Sequence, residues 1–136
     1  MKNIEVKFPL IEDITMNVAK KYGMIQPGES KTQAVRAVFF VDPKSIVRAI
    51  IYYPLSLGRN FDEIYSALIS MQTSDAFNVA TPADWNPGDD VIISPAGSCS
   101  VAAERMSGAD ELACKDWFFC TKKLDKSLVL DSILKK

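Results

Sequence analysis

The run Ala34-Val35-Arg36-Ala37-Val38-Phe39-Phe40-Val41-Asp42-Pro43, followed by Ile46-Val47-Arg48-Ala49-Ile50-Ile51-Tyr52-Tyr53-Pro54, decides how this chain folds. Both halves are rich in β-branched and aromatic residues, and Asp42-Pro43-Lys44-Ser45 between them places proline where a type I turn wants it. The pattern predicts a β-hairpin over residues 32–53. With Asp42 to Ser45 as a four-residue loop, Val41 faces Ile46, Arg36 faces Ile51, and Arg48 pairs with Phe39 on the opposite side of the sheet. Arg48 then reads as solvated or helix-facing. Arg36 sits deeper in its apolar strand, and a guanidinium there needs a partner, because a buried charge is tolerated only when paired or hydrogen-bonded.

Working outward, Ile4 to Leu10 alternates apolar and charged residues and predicts a strand, while Ile14, Val18 and Tyr22 recur at helical spacing up to Gly23. On the other side of the hairpin, Asn60 is a candidate N-cap, Asp62 and Glu63 follow in the first turn, and Phe61, Ile64, Tyr65, Leu68, Ile69 and Met71 predict a helix to about Gln72. The turn-rich segment from Ala80 to Asp90 suggests a division into residues 1–80 and 81–136. Beyond it the pattern predicts a short strand at Val91 to Ile93, an amphipathic stretch around Val101 to Met106, and a terminal helix from Lys126 to Leu134. The order of elements is that of an α/β protein.

Composition narrows the chemistry. With 136 residues, 48% hydrophobic and 24% charged, the chain has the length and apolar content for one domain plus an appendage. Its net charge of -1 offers no excess of positive charge for phosphates or anionic lipid, so neither nucleic acid nor a membrane surface is expected as a partner. The first residues hold no continuous apolar core of a signal peptide, and no apolar run approaches the roughly 20 residues of a membrane span, which places the chain in the cytoplasm. There is no histidine, which removes Ser-His-Asp and Cys-His catalysis and most zinc and iron sites. The remaining candidate nucleophiles are Cys99, Cys114 and Cys120, an odd number that argues against a structural disulfide framework. Redox work and plain burial both remain open for them. Cys114 and Cys120 are six residues apart, which would put them on different sides of a helix or roughly 20 Å apart along a strand. That is too far to bridge without a loop, and the pair is better suited to attacking a third sulfur.

The segments Val35-Arg36-Ala37-Val38-Phe39, Gly58-Arg59-Asn60-Phe61-Asp62-Glu63-Ile64, Lys7-Phe8-Pro9-Leu10-Ile11-Glu12-Asp13, Ala19-Lys20-Lys21-Tyr22-Gly23-Met24 and Val79-Ala80-Thr81-Pro82-Ala83-Asp84-Trp85 together resemble the peroxiredoxin family, in its one-cysteine-like subfamily. Cys114-Lys115-Asp116-Trp117-Phe118-Phe119-Cys120 is similar to the paired cysteines in the C-terminal arm of archaeal members. The resemblance implies a partial thioredoxin-like fold, a mixed sheet with flanking helices, followed by an extended C-terminal dimerisation arm that wraps over a partner subunit. It implies thiol-dependent reduction of hydrogen peroxide and alkyl hydroperoxides, with a thiol reductant as electron donor and no cofactor or metal. Arg36 and Arg59 would occupy the places of the family's active-site arginines, a task that suits a permanently charged, multi-donor group. Cys120 would be the resolving cysteine and Cys114 its auxiliary; Cys99 has no counterpart and is an incidental thiol.

Each of these residues also has a plainer role open to it. Arg36 could pair with a neighbouring carboxylate for packing, Arg59 could sit in water or pair with Asp62 or Glu63, and the two cysteines could pack as small hydrophobes beside Trp117, Phe118 and Phe119. The family pattern breaks at one point. Its peroxidatic cysteine lies in a Pro-x-x-x-Thr-x-x-Cys loop before the arginine strand, whereas all three cysteines here follow Arg36. The chain is therefore expected to be a C-terminal piece of a longer peroxidase, one half of a split enzyme, or a non-catalytic dimerisation or regulatory module. In each case an open sheet edge would invite a missing N-terminal half or a second subunit.

Overall fold

The computed structural model describes residues 5–108 and 112–134. The chain forms two compact units, Met1–Asn60 and Phe61–Lys136.

The first unit holds a short helix α1 (Asn17–Lys21) and a hairpin of β1 (Arg36–Val41) and β2 (Val47–Tyr53). Ile4 lies outside the described residues, and the rest of the segment to Leu10 is irregular rather than the expected strand. A lone alternating run gains strand geometry only from a neighbouring strand, and none of the described residues pairs with it. The helix is also shorter than its apolar spacing suggested. Met16 just before it takes φ 58°, and Asp13 reaches past it to accept from Val18 N at 3.1 Å and Ala19 N at 2.8 Å. Those two hydrogen bonds, Ala19's foremost, hold the Asp13 carboxyl below its ordinary pKa.

The predicted hairpin is present with a different register. Arg36 pairs with Tyr53 rather than Ile51, and Phe39 with Ile50 rather than Arg48. The cause lies at the turn. One carboxylate oxygen of Asp42 accepts from Lys44 N and Ile46 N, both at 2.9 Å, and Asp42 N donates to Ile46 O at 2.9 Å, so Val41 pairs with Val47. The shift between Phe40 and Val41 then leaves Arg48 as the extra residue of a β-bulge. Its guanidinium stands 3.9 Å from the second Asp42 oxygen. The two arginines thus differ sharply in surroundings: Arg48 is exposed beside a carboxylate, while Arg36 opens β1 opposite buried Tyr53 and next to buried Val35. The other face of the hairpin is an aromatic cluster. Phe39 meets Tyr22 and Tyr52 edge to face, and the Tyr52 hydroxyl donates to Tyr22 O at 2.6 Å.

The second unit comprises α2 (Phe61–Phe77), β3 (Val79–Ala80), β4 (Asp90–Ile93), α3 (Cys99–Met106), β5 (Ala113–Asp116), β6 (Phe119–Lys123) and α4 (Lys126–Leu134). Helix α2 continues five residues past the expected Gln72, because Thr73 donates its hydroxyl to Ile69 O at 2.8 Å and is fully buried instead of breaking the helix. Asn78, in the left-handed conformation at φ 52°, ends it. The strands form a sheet in the order β3-β4-β6-β5. All pairings among the described strands of both sheets are antiparallel, in place of one mixed sheet. The α/β class itself holds. Ile69, Trp85, Val91, Leu124 and Val129 make the core of this unit, joining α2, the Trp85 loop, β4 and α4.

The terminal helix starts and stops where the periodicity placed it, and Asp125 caps it. The Asp125 carboxylate accepts from Ser127 N at 2.8 Å, from the Ser127 hydroxyl at 2.5 Å and from Leu128 N at 3.4 Å. These bonds, the hydroxyl's first, hold its pKa below the ordinary 3.8. A carboxyl whose folded pKa is depressed stabilises the fold above its unfolded pKa, and that contribution fades as the pH falls through the lower folded value. Asp125→Asn is therefore expected to melt close to the parent near neutral pH but to lose part of the acid-induced drop below pH 3.8. Asp125→Ala should melt lower at neutral pH as well. Thermal unfolding at the two pH values checks both.

Candidate functional site: a cross-strand cysteine pair and a half-buried arginine

Strands β5 and β6 are joined by a two-residue turn at Trp117 and Phe118, with Trp117 N donating to the Asp116 carboxylate at 2.7 Å. Asp116 pairs with Phe119, yet Cys114 pairs with Cys120, so Lys115 is the extra residue of a second bulge. Without that bulge Cys120 would face Lys115. With it, the two cysteines stand directly across from each other, Cα atoms 4.0 Å apart, and are joined as a disulfide. The turn at Trp117 and Phe118 is the loop without which the two thiols would be too far apart to bridge: the chain reverses between them, so the distance along one strand does not apply. The turn residues Trp117 and Phe118 lack the glycine or asparagine of the commonest tight hairpins, so the sequence does not mark the turn.

The two sulfurs differ in setting. Cys120 is 1% exposed and belongs to β6, which is flanked by β4 on one side and β5 on the other. Its Sγ lies 3.7 Å from Asp116 O, and Ile93 of β4 pairs with it in register. Cys114 is half-buried on β5, the edge strand. The Lys115 ammonium is drawn over the Phe119 ring, 5.8 Å from its centroid. Trp117 and Phe118 stack edge to face at the tip, each about half exposed. Cys99 is a free, exposed thiol at the start of α3, whose N-cap Ser98 accepts from Val101 N at 3.4 Å. It lines an open groove with Ala102, Met106 and Trp117.

In the first unit, Nη1 of Arg36 is buried and has no hydrogen-bond partner among the described residues. That is an unusual state for a guanidinium nitrogen, since buried donors are nearly always satisfied. It pairs with no neighbouring carboxylate among the described residues. Arg59 is exposed in the loop between β2 and α2. The arginines belong to one unit and the cysteine pair to the other, and each group is described within its own unit.

A profile of the AhpC/TSA family matches residues 1–50, and one of the C-terminal domain of 1-Cys peroxiredoxin matches residues 70–106. A peroxiredoxin of Methanosarcina mazei is 56% identical over 124 residues, which cover 90% of this chain and 57% of that protein. One of Archaeoglobus fulgidus is 48% identical over 128 residues, covering 90% and 59%. Among solved structures, yeast mitochondrial 1-Cys peroxiredoxin superposes with a TM-score of 0.72 at 34% identity, covering 91% of this chain and 59% of that one. A mutant of peroxiredoxin 6 of Arenicola marina gives 0.64 at 34% identity, covering 82% and 54%. The fold is accordingly of the thioredoxin-like class to which these structures belong. The chain belongs to the peroxiredoxin family. It spans a little over half the length of the relatives it matches.

Proposed function

We propose that this chain acts as the C-terminal portion of a thiol peroxidase that reduces hydrogen peroxide and alkyl hydroperoxides, with the peroxide-attacking cysteine supplied by polypeptide outside these 136 residues. The observation that carries this reading is the buried, unpartnered Nη1 of Arg36. A donor that is buried without a partner costs stability, and such groups collect at sites where an absent partner is bound. A cysteine thiolate and a peroxide oxygen both fit a fixed, permanently charged donor. Arg59 would add a second positive group at the same site, and the division near residue 80 would separate that part from an arm that meets a second subunit.

The cysteine pair supplies the other half of the cycle. Attack of the nucleophilic thiolate on peroxide leaves a sulfenic acid; the Cys120 thiol condenses with it, releasing water and forming a disulfide. The Cys114 thiolate then displaces the first cysteine from Cys120, which yields the Cys114–Cys120 bond and returns the nucleophile as a thiolate. A thiol reductant closes the cycle. In a reducing compartment such as the cytoplasm, this disulfide is a working intermediate rather than a structural staple.

The test is a peroxide-consumption assay on the chain alone and on the chain combined with the part of the Methanosarcina mazei relative that the match leaves uncovered. The chain alone is expected to show no turnover. The combination is expected to turn over, and Cys120→Ser is expected to abolish thiol-driven cycling. Turnover by the chain alone that vanishes with Cys99→Ser would overturn these roles. Tight co-elution with a complete peroxiredoxin without any gain in activity would favour a regulatory or dimerisation module.

A further inference from the structure

We propose that the Cys114–Cys120 disulfide is opened from one side only: the thiolate of an incoming thiol reductant attacks Cys114, and Cys120 leaves. This rests on reading the pair as a working redox couple and adds which sulfur the electron donor touches.

Thiol–disulfide exchange is an in-line displacement, so the attacking sulfur approaches along the S–S axis from the side opposite the leaving sulfur, and access to that line decides which sulfur reacts. The bond runs between neighbouring strands. Attack on Cys114 comes from outside β5, where the sheet ends and no described strand follows. Attack on Cys120 once the pair has closed would come from the β4 side, where Ile93 occupies the paired position on the next strand. Burial points the same way, with Cys114 half-buried and Cys120 1% exposed. The leaving sulfur is also received. Asp116 O, 3.7 Å from Cys120 Sγ, is an acceptor in place for the S–H that forms once Cys120 is released and protonated.

The step balances. The new S–S bond joins the reductant to Cys114, the Cys114–Cys120 bond breaks, and its electron pair leaves on Cys120, which takes a proton from solvent. A second reductant thiolate then attacks the reductant's sulfur in the mixed disulfide, releasing Cys114 as a thiolate. Two thiols of the reductant are oxidised to a disulfide, and the protein recovers two thiols. The order returns the buried Cys120 first and keeps the accessible Cys114 occupied until the donor has delivered both electrons.

The experiment uses the full chain with Cys99→Ser, oxidised, then exposed briefly to glutathione, quenched with acid, alkylated with N-ethylmaleimide and digested with trypsin. Cleavage after Lys115 puts the two cysteines in separate peptides. The expected result is glutathione on the Cys114 peptide and alkyl on the Cys120 peptide, in excess over the reverse by about tenfold or more. In a parallel pair of reduced variants, Cys99→Ser with Cys120→Ser should take up glutathione from its disulfide about tenfold faster than Cys99→Ser with Cys114→Ser. An equal split, or glutathione on the Cys120 peptide, overturns the proposal while leaving the redox couple intact. Failure of the full chain to form the disulfide on oxidation removes the couple and the proposal together.

Discussion

Replacing Trp85 by alanine is expected to destabilise the second unit by about 3–5 kcal/mol, the usual cost of truncating a buried tryptophan. Trp85 is 4% exposed although it sits in a loop, and it shares the core with Ile69 of α2, Val91 of β4, Leu124 in the link after β6, and Val129 of α4. Truncation would therefore leave a void bordered by both helices and the sheet at once. The loop is built to present the ring. Asp84 takes φ 58°, Gly88 takes φ 108°, Asn86 N donates to the Asp89 carboxylate at 2.9 Å, and the indole N–H donates to Asp89 O at 3.2 Å. Trp85→Phe keeps most of the apolar contact and gives up the hydrogen bond, so a smaller loss of about 1–2 kcal/mol is expected. Whole-domain stability is of order 5–15 kcal/mol, so the alanine variant should show a large fall in the denaturant midpoint. A change under about 1 kcal/mol would show that the loop is not part of the core.

What the sequence disclosed and what it hid both follow from how local the deciding interaction is. The hairpin and helix α4 were legible because strand composition, a proline turn and a three-to-four-residue apolar period are local signals. The hairpin register was not, because it depends on one Asp42 carboxylate bridging two backbone N–H groups and pushing Arg48 into a bulge. Helix α2 ran past its expected end because the polarity of Thr73 is cancelled by its own backbone bond to Ile69. The cysteine pair is conspicuous in the sequence, but its direct bond depends on a bulge at Lys115, and a one-residue shift is invisible in the pattern. Arg36 stood out from the first residues because a charge in an apolar strand is conspicuous whatever the register.

That same arginine gives the clearest separation of stability from activity. Arg36→Met removes the guanidinium while keeping a long apolar side chain, and so deletes the buried unpartnered Nη1. Leaving a buried donor unsatisfied costs about 1–3 kcal/mol, and relieving it should return part of that, so the variant is expected to melt at or above the parent temperature. In the complemented peroxidase the same substitution is expected to lower peroxide turnover by about 10²–10³-fold, the scale seen when one preorganised donor is removed from a site of developing negative charge. Arg36→Lys keeps the charge but replaces the planar fork with a single compact ammonium on a different stem, so most of the loss should remain. The pair of measurements decides what the residue is for. A variant that unfolds more easily and loses activity in proportion marks Arg36 as a structural ion whose partner lies elsewhere in the fold. A variant that holds its stability and loses turnover marks a position kept at a cost to the fold because the reaction needs it.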